Sequence, residues 1–369
     1  MPKLIQVPEK TLRVLSLNMQ WGSGPEDNEP NFMGDKPISK KEIDHNLDEI
    51  VDLIDEVNPE IIELQEVDKC SGRTYFMDQT KEIVQKIAKK RDQKPYNSVF
   101  ASCIELYQHR LEEEIEKLIG TATKFLKIDR FEFGRKLKHF VPFVLEKYND
   151  KKYAWIFNKL NLEPGRLPPG KITLHFGNAI LVHPDYPIKG VKHEYFFRPS
   201  AIPIMYFNIM SRRDERKNIL RIKIDYCPDV PEKIPLYVIN THLENYDKYN
   251  RQKQANILYE KLNERSGAHK IVAGDFNDSK IIHRFINHPN MSHFNELVEQ
   301  EQKYATYPAW KDFPDSLFDA ILPSRYLTIE NYFVHPKKVS DHYAVVADIT
   351  INHDLVPENL LKRMLERSG

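Results

Sequence analysis

The N-terminal part of the chain begins with a strand, an amphipathic helix and a second strand, and this order restricts the fold more than any other feature. Residues 12–18 (LRVLSLN) are mostly apolar and end in a polar residue, which predicts a strand. Over residues 41–57 apolar side chains recur every three or four positions, as on one face of a helix, and Asn58 and Pro59 end the pattern. Residues 60–67 (EIIELQEV) predict a short buried strand. This order is the opening unit of a layered α/β domain.

The C-terminal half repeats the same order of elements. A helix is predicted from Lys248 to Leu262, with Ile257 and Leu258 on its apolar face. Polar side chains follow several predicted strands, and ligands of open sheets bind at the carboxyl ends of strands. The strand candidates in this half are residues 178–182, 219–226, 236–242, 270–274, 318–322 and 343–351.

Composition excludes several classes of protein. Hydrophobic residues make up 41% of the 369-residue chain and charged residues 29%, as in a globular protein that is soluble in water. Lys and Arg number 54, and so do Asp and Glu, so the total charge favours neither an acidic nor a basic partner. No apolar stretch is long enough for a transmembrane helix, and the N-terminus does not resemble a signal peptide. Three widely spaced cysteines without a CxxC pair also fit a reducing compartment, so we expect a cytoplasmic protein.

Residues 103–170 differ in composition from their surroundings. We interpret them as an insertion within a single domain of residues 1–369, beginning with a charged helix from Leu106 to Leu118. Between Lys117 and Lys159 there are 11 Lys and Arg against 4 Asp and Glu, an excess of 7 positive charges, with nine aromatic residues interleaved. This segment either binds phosphates and bases or packs its aromatic residues into a small core of its own.

Five short motifs lie at the ends of predicted strands. They are Asn18, Glu66 in LQEV, NTHLE at residues 240–244, GDFN at residues 274–277, and SDH at residues 340–342. Each is weak alone, because an acidic residue after a strand is commonly a loop charge, and Asp-x-Asn is commonly an Asx-turn. Their order along one chain is what carries information.

Cleavage of a phosphoester requires a hard divalent cation on oxygen ligands, a base, and donors for the developing charge. Glu66, Asp341 and the side-chain carbonyl of Asn18 can bind the cation. His342 can supply the base. The remaining candidates are Asp319, which can orient that histidine, and the donors Asn18, His242 and Asn277. The chain contains no GxxxxGK[ST], HExxH or GxSxG motif, so competing chemistries lack their signatures.

The ordered set of motifs resembles the endonuclease/exonuclease/phosphatase superfamily. It comprises LNMQW, LQEV, GNAIL, NTHLE, GDFND, TYPAW, FDAIL and SDHYAVVADI, and it extends over residues 11–100 and 174–352. The resemblance implies a four-layer α/β sandwich of the DNase I type, with two mainly antiparallel sheets flanked by helices. It also implies hydrolysis of phosphoric esters with Mg²⁺ or Mn²⁺; zinc is not expected, since no Cys/His cluster has zinc spacing.

The resemblance also assigns roles to residues. Glu66 corresponds to the principal metal ligand, Asn18 lies beside it, and Asp341 is a metal or water ligand. Two further residues, Asn178 in GNAIL and Arg251, are expected to support the substrate. The catalytic candidates are His242 on the phosphate, Asp275 on water or the leaving oxygen, Asn277 on the phosphate, Asp319 beside the terminal histidine, and His342 as that histidine.

Two departures bear on the substrate. The inositol-polyphosphate 5-phosphatases carry GDxNYR and PAWCDR, whereas this chain has GDFND at residues 274–278 and PAWKDF at residues 308–313. The second departure is the insertion, where the compact abasic-site endonucleases have shorter loops. The leading hypothesis is a phosphodiesterase or nuclease on nucleic acid, whose phosphates and bases the segment 117–159 would bind. The alternative is a phosphoesterase of sphingomyelin-like or phosphoinositide-like headgroups, with the same segment on an anionic membrane. A third possibility is a scaffold that binds without catalysis; no protein partner is predicted.

Overall fold

Two β-sheets form the centre of the protein, as seen in a computed structural model that describes residues 11–25, 38–69, 74–107, 173–196, 217–226, 234–264 and 267–351. One sheet has six strands in the order β10-β11-β1-β2-β4-β3, and the other has five in the order β5-β6-β7-β8-β9. The strands are β1 Leu12–Asn18, β2 Ile61–Lys69, β3 Asn97–Tyr107, β4 Thr173–Val182, β5 Gly190–Tyr195, β6 Asn218–Asp225, β7 Pro235–His242, β8 His269–Asp275, β9 Asp319–Pro323, β10 Leu327–Val334 and β11 Val345–Ile351. The helices are α1 Lys40–Val57, α2 Gln79–Arg91, α3 Lys248–Asn263, α4 Ser279–Ile286 and α5 Glu296–Glu299.

Helices α1 and α2 cover the outer face of the six-stranded sheet. Ser39 and Glu42 form a capping box that satisfies free N–H groups at the start of α1, and Asn58 ends the helix in the left-handed conformation. Side chains such as Leu47 and Ile50 pack on Leu15 and Leu17 of β1. A second core fills the space between the sheets and extends to α3 and α4 on the far side. The predicted four-layer α/β sandwich of the DNase I type is therefore confirmed.

Each sheet contains one parallel pair of strands. In the first sheet β1 and β2 are parallel and α1 connects them; in the second, β7 and β8 are parallel and α3 connects them. The other pairs are antiparallel. Since parallel neighbours end at the same edge of a sheet, the residues after β1, β2, β7 and β8 are brought together in pairs.

Strand β3 extends into the predicted insertion, which itself stays a prediction, and corrects the start of the helix expected there. Residues 103–107 continue this strand, and Tyr107 pairs with Thr173 of β4, so the strand includes the first two residues of the helix expected from Leu106 to Leu118. Hydrogen bonding to β4 therefore overrides the helical interpretation at these residues. The basic-aromatic segment 117–159 lies outside the described residues.

Several elements were not anticipated. They are α2, β3, β5, α4, α5 and β10. Strand β5 lies at a sheet edge with residues 190–193 exposed, so it lacks the apolar pattern on which strand prediction relies. None of the helices among the described residues is long and apolar enough to cross a membrane.

Candidate active site

Asn18 is the last residue of β1, and Glu66 lies in the C-terminal part of β2. The register between β2 and β4 shifts between Leu64 and Val67, and Glu66 within this bulge has a φ of 56°. A bulge redirects a side chain relative to the regular strand. The Asn18 Nδ2 group donates to Asp275 Oδ2 at 3.0 Å and lies 3.4 Å from Glu66 Oε1, while Asn18 Oδ1 accepts the Gln20 N–H. Asn18 thus connects the two sheets.

His242 and Asp275 end the parallel pair of the second sheet and are register partners. Gly274 precedes Asp275 with a φ of 136°, and a Cβ atom there would lie 1.9 Å from the carbonyl oxygen of Thr241. Only glycine permits this close approach of β7 and β8. Asp275 Oδ1 accepts the backbone N–H of Asn277 at 2.8 Å, and Asn277 Nδ2 donates to the Leu243 carbonyl at 3.0 Å.

Asp319 and His342 form a direct pair. His342 Nδ1 lies 2.7 Å from Asp319 Oδ2, which also accepts the Thr306 hydroxyl at 2.6 Å. The ring of Tyr307 contacts the imidazole at a centroid distance of 4.8 Å. These neighbours fix the orientation of His342.

The two pairs meet at Asp275. Its Oδ2 atom lies 3.5 Å from His242 Nε2 and 3.9 Å from His342 Nε2. Asp319 is the register partner of Asp275 on β9. Asn18, His242, Asp275, Asp319 and His342 are each at most 4% exposed. Five residues that are distant in sequence therefore form one buried cluster.

Burial and mutual charge set the protonation of this cluster. Burial, with the charge of Asp319, raises the pKa of Asp275 to about 7. Burial lowers the pKa of His342, but the charges of Asp319, Asp341 and Asp275 together raise it well above its ordinary value. Burial, with the charges of Lys217 and His342, lowers the pKa of His242 well below its ordinary value. The cluster thus places a neutral and a cationic imidazole beside a carboxyl that titrates near neutral pH.

Glu66 and Asp341 carry the oxygen atoms that best suit a divalent cation. Glu66 retains a side chain that is 21% exposed. Burial, together with the charge of Glu66, raises the pKa of Asp341 to about 6, and its Oδ1 accepts the Ser340 hydroxyl at 3.0 Å. A divalent cation held on oxygen ligands would compensate the negative charge of these two neighbouring carboxyl groups.

A second group of possible ligands consists of Asp275, Asp319 and His342, whose ligand atoms lie within 4.8 Å of one another. A metal ion could occupy it. However, the 2.7 Å contact already uses Asp319 Oδ2 and His342 Nδ1 on each other. Proton handling therefore suits this group better than metal binding.

Asn178 and Arg251 occupy supporting positions. Asn178 is fully buried on β4, beside the bulge that carries Glu66, and its Nδ2 donates to Asn218 Oδ1 at 3.2 Å. Arg251 on α3 donates to the carbonyl oxygens of Glu244 and Asn245, each at 3.0 Å. The arginine therefore holds the loop after β7, and its role on the substrate stays a prediction.

Lys217 is a residue of the site that the sequence did not indicate. Its Nζ atom lies 3.2 Å from His242 Nδ1 and 3.1 Å from Nε2, and the residue is 2% exposed. It is the last residue of the charged run RRDERK at residues 212–217, and charged residues are normally solvated. The only sequence signal was its position directly before a strand.

No protein-family model matches the sequence, and the search of curated proteins found no match. The structure of the chain is similar to an endonuclease/exonuclease/phosphatase from Beutenbergia cavernae (TM-score 0.53, 14% identity, covering 93% of this chain and 72% of that one). It is also similar to a family protein of the same description from Bacteroides thetaiotaomicron (0.50, 12%, 93% and 99%) and to truncated TDP2 from Caenorhabditis elegans (0.50, 14%, 92% and 97%). The chain has the fold of these proteins, as its motifs predicted.

Proposed function

We propose that the protein is a divalent-metal-dependent hydrolase of phosphoric esters. The observation that carries this proposal is that the paired residues Asp319 and His342 lie beside Asp275. Asn18 donates to Asp275 and also lies next to Glu66, so it links this group to the candidate metal ligand. Acid–base groups and oxygen ligands are thus arranged around one point, as phosphoester hydrolysis requires. The fold shared with endonuclease/exonuclease/phosphatase proteins supports the same conclusion.

The residues have separable tasks in this reaction. Asp275, with a pKa of about 7, accepts a proton from water while the new P–O bond forms and the bond to the leaving oxygen breaks. That proton then passes to the leaving oxygen. His342 is protonated and held by Asp319, so it donates to a phosphoryl oxygen rather than acting as the base.

Glu66 and Asp341 would hold the cation, with Asn18 positioning Asp275 beside them. When bound, the ion would polarise the phosphoryl group and neutralise charge that develops on its oxygens. Asn277 is oriented by Leu243 and is placed to donate to the phosphate.

For the substrate we propose a nucleic-acid phosphodiester. The support is the segment from Lys117 to Lys159, with its excess of positive charge and its aromatic residues. Tyr107 ends β3, Thr173 begins β4, and the two residues are register partners. Their pair lies two residues nearer the start of β4 than the pair of Lys69 and His175, at the same end of the first sheet as Glu66. The chain between them therefore begins and ends on the side of the candidate site. A lipid headgroup at an anionic membrane is the alternative that the same charges allow.

A turnover screen tests these proposals. Purified protein with Mg²⁺ or Mn²⁺ is assayed on single-stranded DNA, RNA, phosphoinositide vesicles, sphingomyelin vesicles and bis(4-nitrophenyl) phosphate. We expect hydrolysis of the aryl diester and of at least one nucleic acid. Hydrolysis of lipid alone would replace the nucleic-acid proposal, and no turnover of any ester would contradict the enzymatic one.

The contribution of the segment is tested by replacing Lys124, Lys127, Arg135, Lys136 and Lys138 with Gln. With the nucleic acid as substrate, KM should rise. A plot of the logarithm of the binding constant against the logarithm of the salt concentration should become less steep by about 0.7 to 0.9 for each lost phosphate contact. Turnover of the aryl diester should hardly change. Equal losses on both substrates would mean that the segment is structural.

A further inference from the structure

The turn after β1, residues 19–22, holds the side chain of Asn18. The Gln20 N–H donates to Asn18 Oδ1 at 3.1 Å. Gln20 and Trp21 have φ angles of 41° and 47°, in the left-handed region that residues with a side chain adopt only at a cost. Such a conformation persists only where neighbouring groups hold it. The position of Asn18 therefore depends on what holds this turn.

Gln79 binds this turn to strand β2. It is the first residue of α2 and is fully buried. Its Nε2 group donates to the Trp21 carbonyl oxygen at 2.7 Å, and its Oε1 accepts the Asp68 N–H at 2.8 Å. Trp21 lies three residues after Asn18 in the chain, and Asp68 lies two residues after Glu66. A single amide group therefore connects the chain that follows one candidate ligand with the chain that follows the other.

The end of β2 that carries Glu66 extends past its neighbour β1. The two strands pair as far as Asn18 and Gln65, whereas β2 continues for four more residues through the bulge at Glu66. The N–H of Asp68, a buried residue, lies in this extension, and the side chain of Gln79 is its acceptor. A buried N–H group without a partner is costly. Gln79 therefore stabilises the strand conformation from which Glu66 projects.

A second buried glutamine has a comparable task beside the other sheet. Gln254 on α3 is 2% exposed, and its Oε1 accepts the Glu244 N–H at 2.7 Å. Glu244 lies two residues after His242, as Asp68 lies two residues after Glu66. The two glutamines thus hold the chain after different kinds of residue, a candidate metal ligand in one case and a candidate phosphate contact in the other.

We propose that Gln79 is a positioning residue for the divalent cation. By fixing the turn after Asn18 to the strand end after Glu66, it keeps the Glu66 carboxylate oriented for the cation, with Asn18 Nδ2 3.4 Å from Glu66 Oε1. The assignment rests on the proposed metal-dependent function. Gln79 acts only through these residues, so its loss should show itself first in the affinity for the metal.

Calorimetric binding of Mn²⁺ tests this assignment without requiring turnover. Wild type, Gln79→Met, Gln79→Glu and Gln254→Met are titrated with Mn²⁺ at pH 8 in the absence of any ester, and Glu66→Gln shows which binding event belongs to the candidate site. Met keeps the length of the side chain and removes both hydrogen bonds. Glu keeps the acceptor for the Asp68 N–H, but its ionised carboxylate cannot donate to Trp21, so this variant remains informative if the Met variant does not fold. Gln254→Met is the matched control, because it removes an equally buried glutamine beside the other sheet.

We expect both Gln79 variants to bind Mn²⁺ at least about 10-fold more weakly and Gln254→Met to bind it as wild type does. On bis(4-nitrophenyl) phosphate, the Mn²⁺ concentration that gives half-maximal turnover should rise by the same factor in the Gln79 variants, whereas kcat at saturating Mn²⁺ should fall much less. Wild-type affinity for Mn²⁺ in a Gln79 variant that is folded by circular dichroism would overturn the assignment. An equal loss of affinity in Gln254→Met would also overturn it, because the effect would then be a general loosening of the fold. Mn²⁺ binding that depends on Gln79 in a protein that hydrolyses no ester would support the assignment and reject the proposed function.

Discussion

The two ends of strand β8 both contain buried ionisable residues, but they use them differently. His269 and Lys270 begin the strand and Asp275 ends it. Lys270 is satisfied by two backbone carbonyl oxygens, at 2.7 and 2.5 Å. Asp275 instead contacts the side chains of Asn18, His242 and His342, which come from other segments of the chain.

The difference separates a structural charge from a functional one. Backbone carbonyls that bind an ammonium hold the α3–β8 connection and have no proton to exchange. Ionisable side chains that are buried together shift one another's pKa values, as burial and the charge of Asp319 do for Asp275, and such shifts cluster at sites of chemistry. We therefore expect substitutions at one end of β8 to change stability and those at the other end to change turnover.

The largest expected effect is the loss of turnover at the Asp275 end. Asp275→Asn and His342→Ala should each lower kcat by at least about 10²-fold, because the first removes the proposed general base and the second removes a positioned donor to the phosphoryl oxygen. Lys270→Met should lower the free energy of unfolding and leave kcat within about 2-fold. Both kcat and the free energy of unfolding in urea are measured for the three variants. If Lys270→Met were as inactive as Asp275→Asn, the two ends of β8 would not differ in the way described.

Asp319 should have a smaller effect, since it acts by orienting His342. We expect Asp319→Asn to lower kcat less than His342→Ala does. The double variant should lose little more than His342→Ala alone, because both substitutions remove the same pair. Additive losses in this double-mutant cycle would show that the two residues act independently and that the 2.7 Å contact is not used in catalysis.

The sequence alone identified the candidate residues at the Asp275 end of β8 because they are associated with apolar strands. Asn18, Glu66 and Asp275 each come directly after or within a readable strand, and α1 was readable from its apolar spacing. The bulge at Glu66 was not readable, because it depends on pairing with β4, more than a hundred residues away. Lys217 was missed because its burial against His242 depends on the pairing of β6 with β7 and not on the charged residues beside it.

The opposite end of β8 should show itself in the pH dependence of stability. Burial lowers the pKa of His269 from 6.5 to about 4, and its Nε2 atom has no hydrogen-bond partner. The unfolded chain therefore binds a proton below pH 6.5 that the folded chain excludes until about pH 4, so stability is complete above pH 6.5 and decreases as the pH falls through this window. At pH 5 the free energy of unfolding should therefore be about 2 kcal/mol lower than it is well above pH 6.5.

His269→Phe should remove this part of the acid sensitivity. The free energy of unfolding, measured with urea at pH 7 and pH 5, should decrease by about 2 kcal/mol less in the variant than in wild type. An identical decrease in both proteins would mean that His269 is protonated in the folded state. Turnover at pH 7 should stay close to wild type, which sharpens the contrast between the two ends.

The central claim is that the Asp275 end of the sheets, with Glu66 and Asp341, hydrolyses phosphoric esters with the help of a divalent cation. The most direct measurement is hydrolysis of bis(4-nitrophenyl) phosphate by wild type and by Glu66→Gln, first in excess EDTA and then with Mg²⁺ or Mn²⁺ restored. Wild-type activity should vanish in EDTA and return with the metal, and Glu66→Gln should require a higher metal concentration or stay inactive. Full wild-type activity in excess chelator would contradict the account.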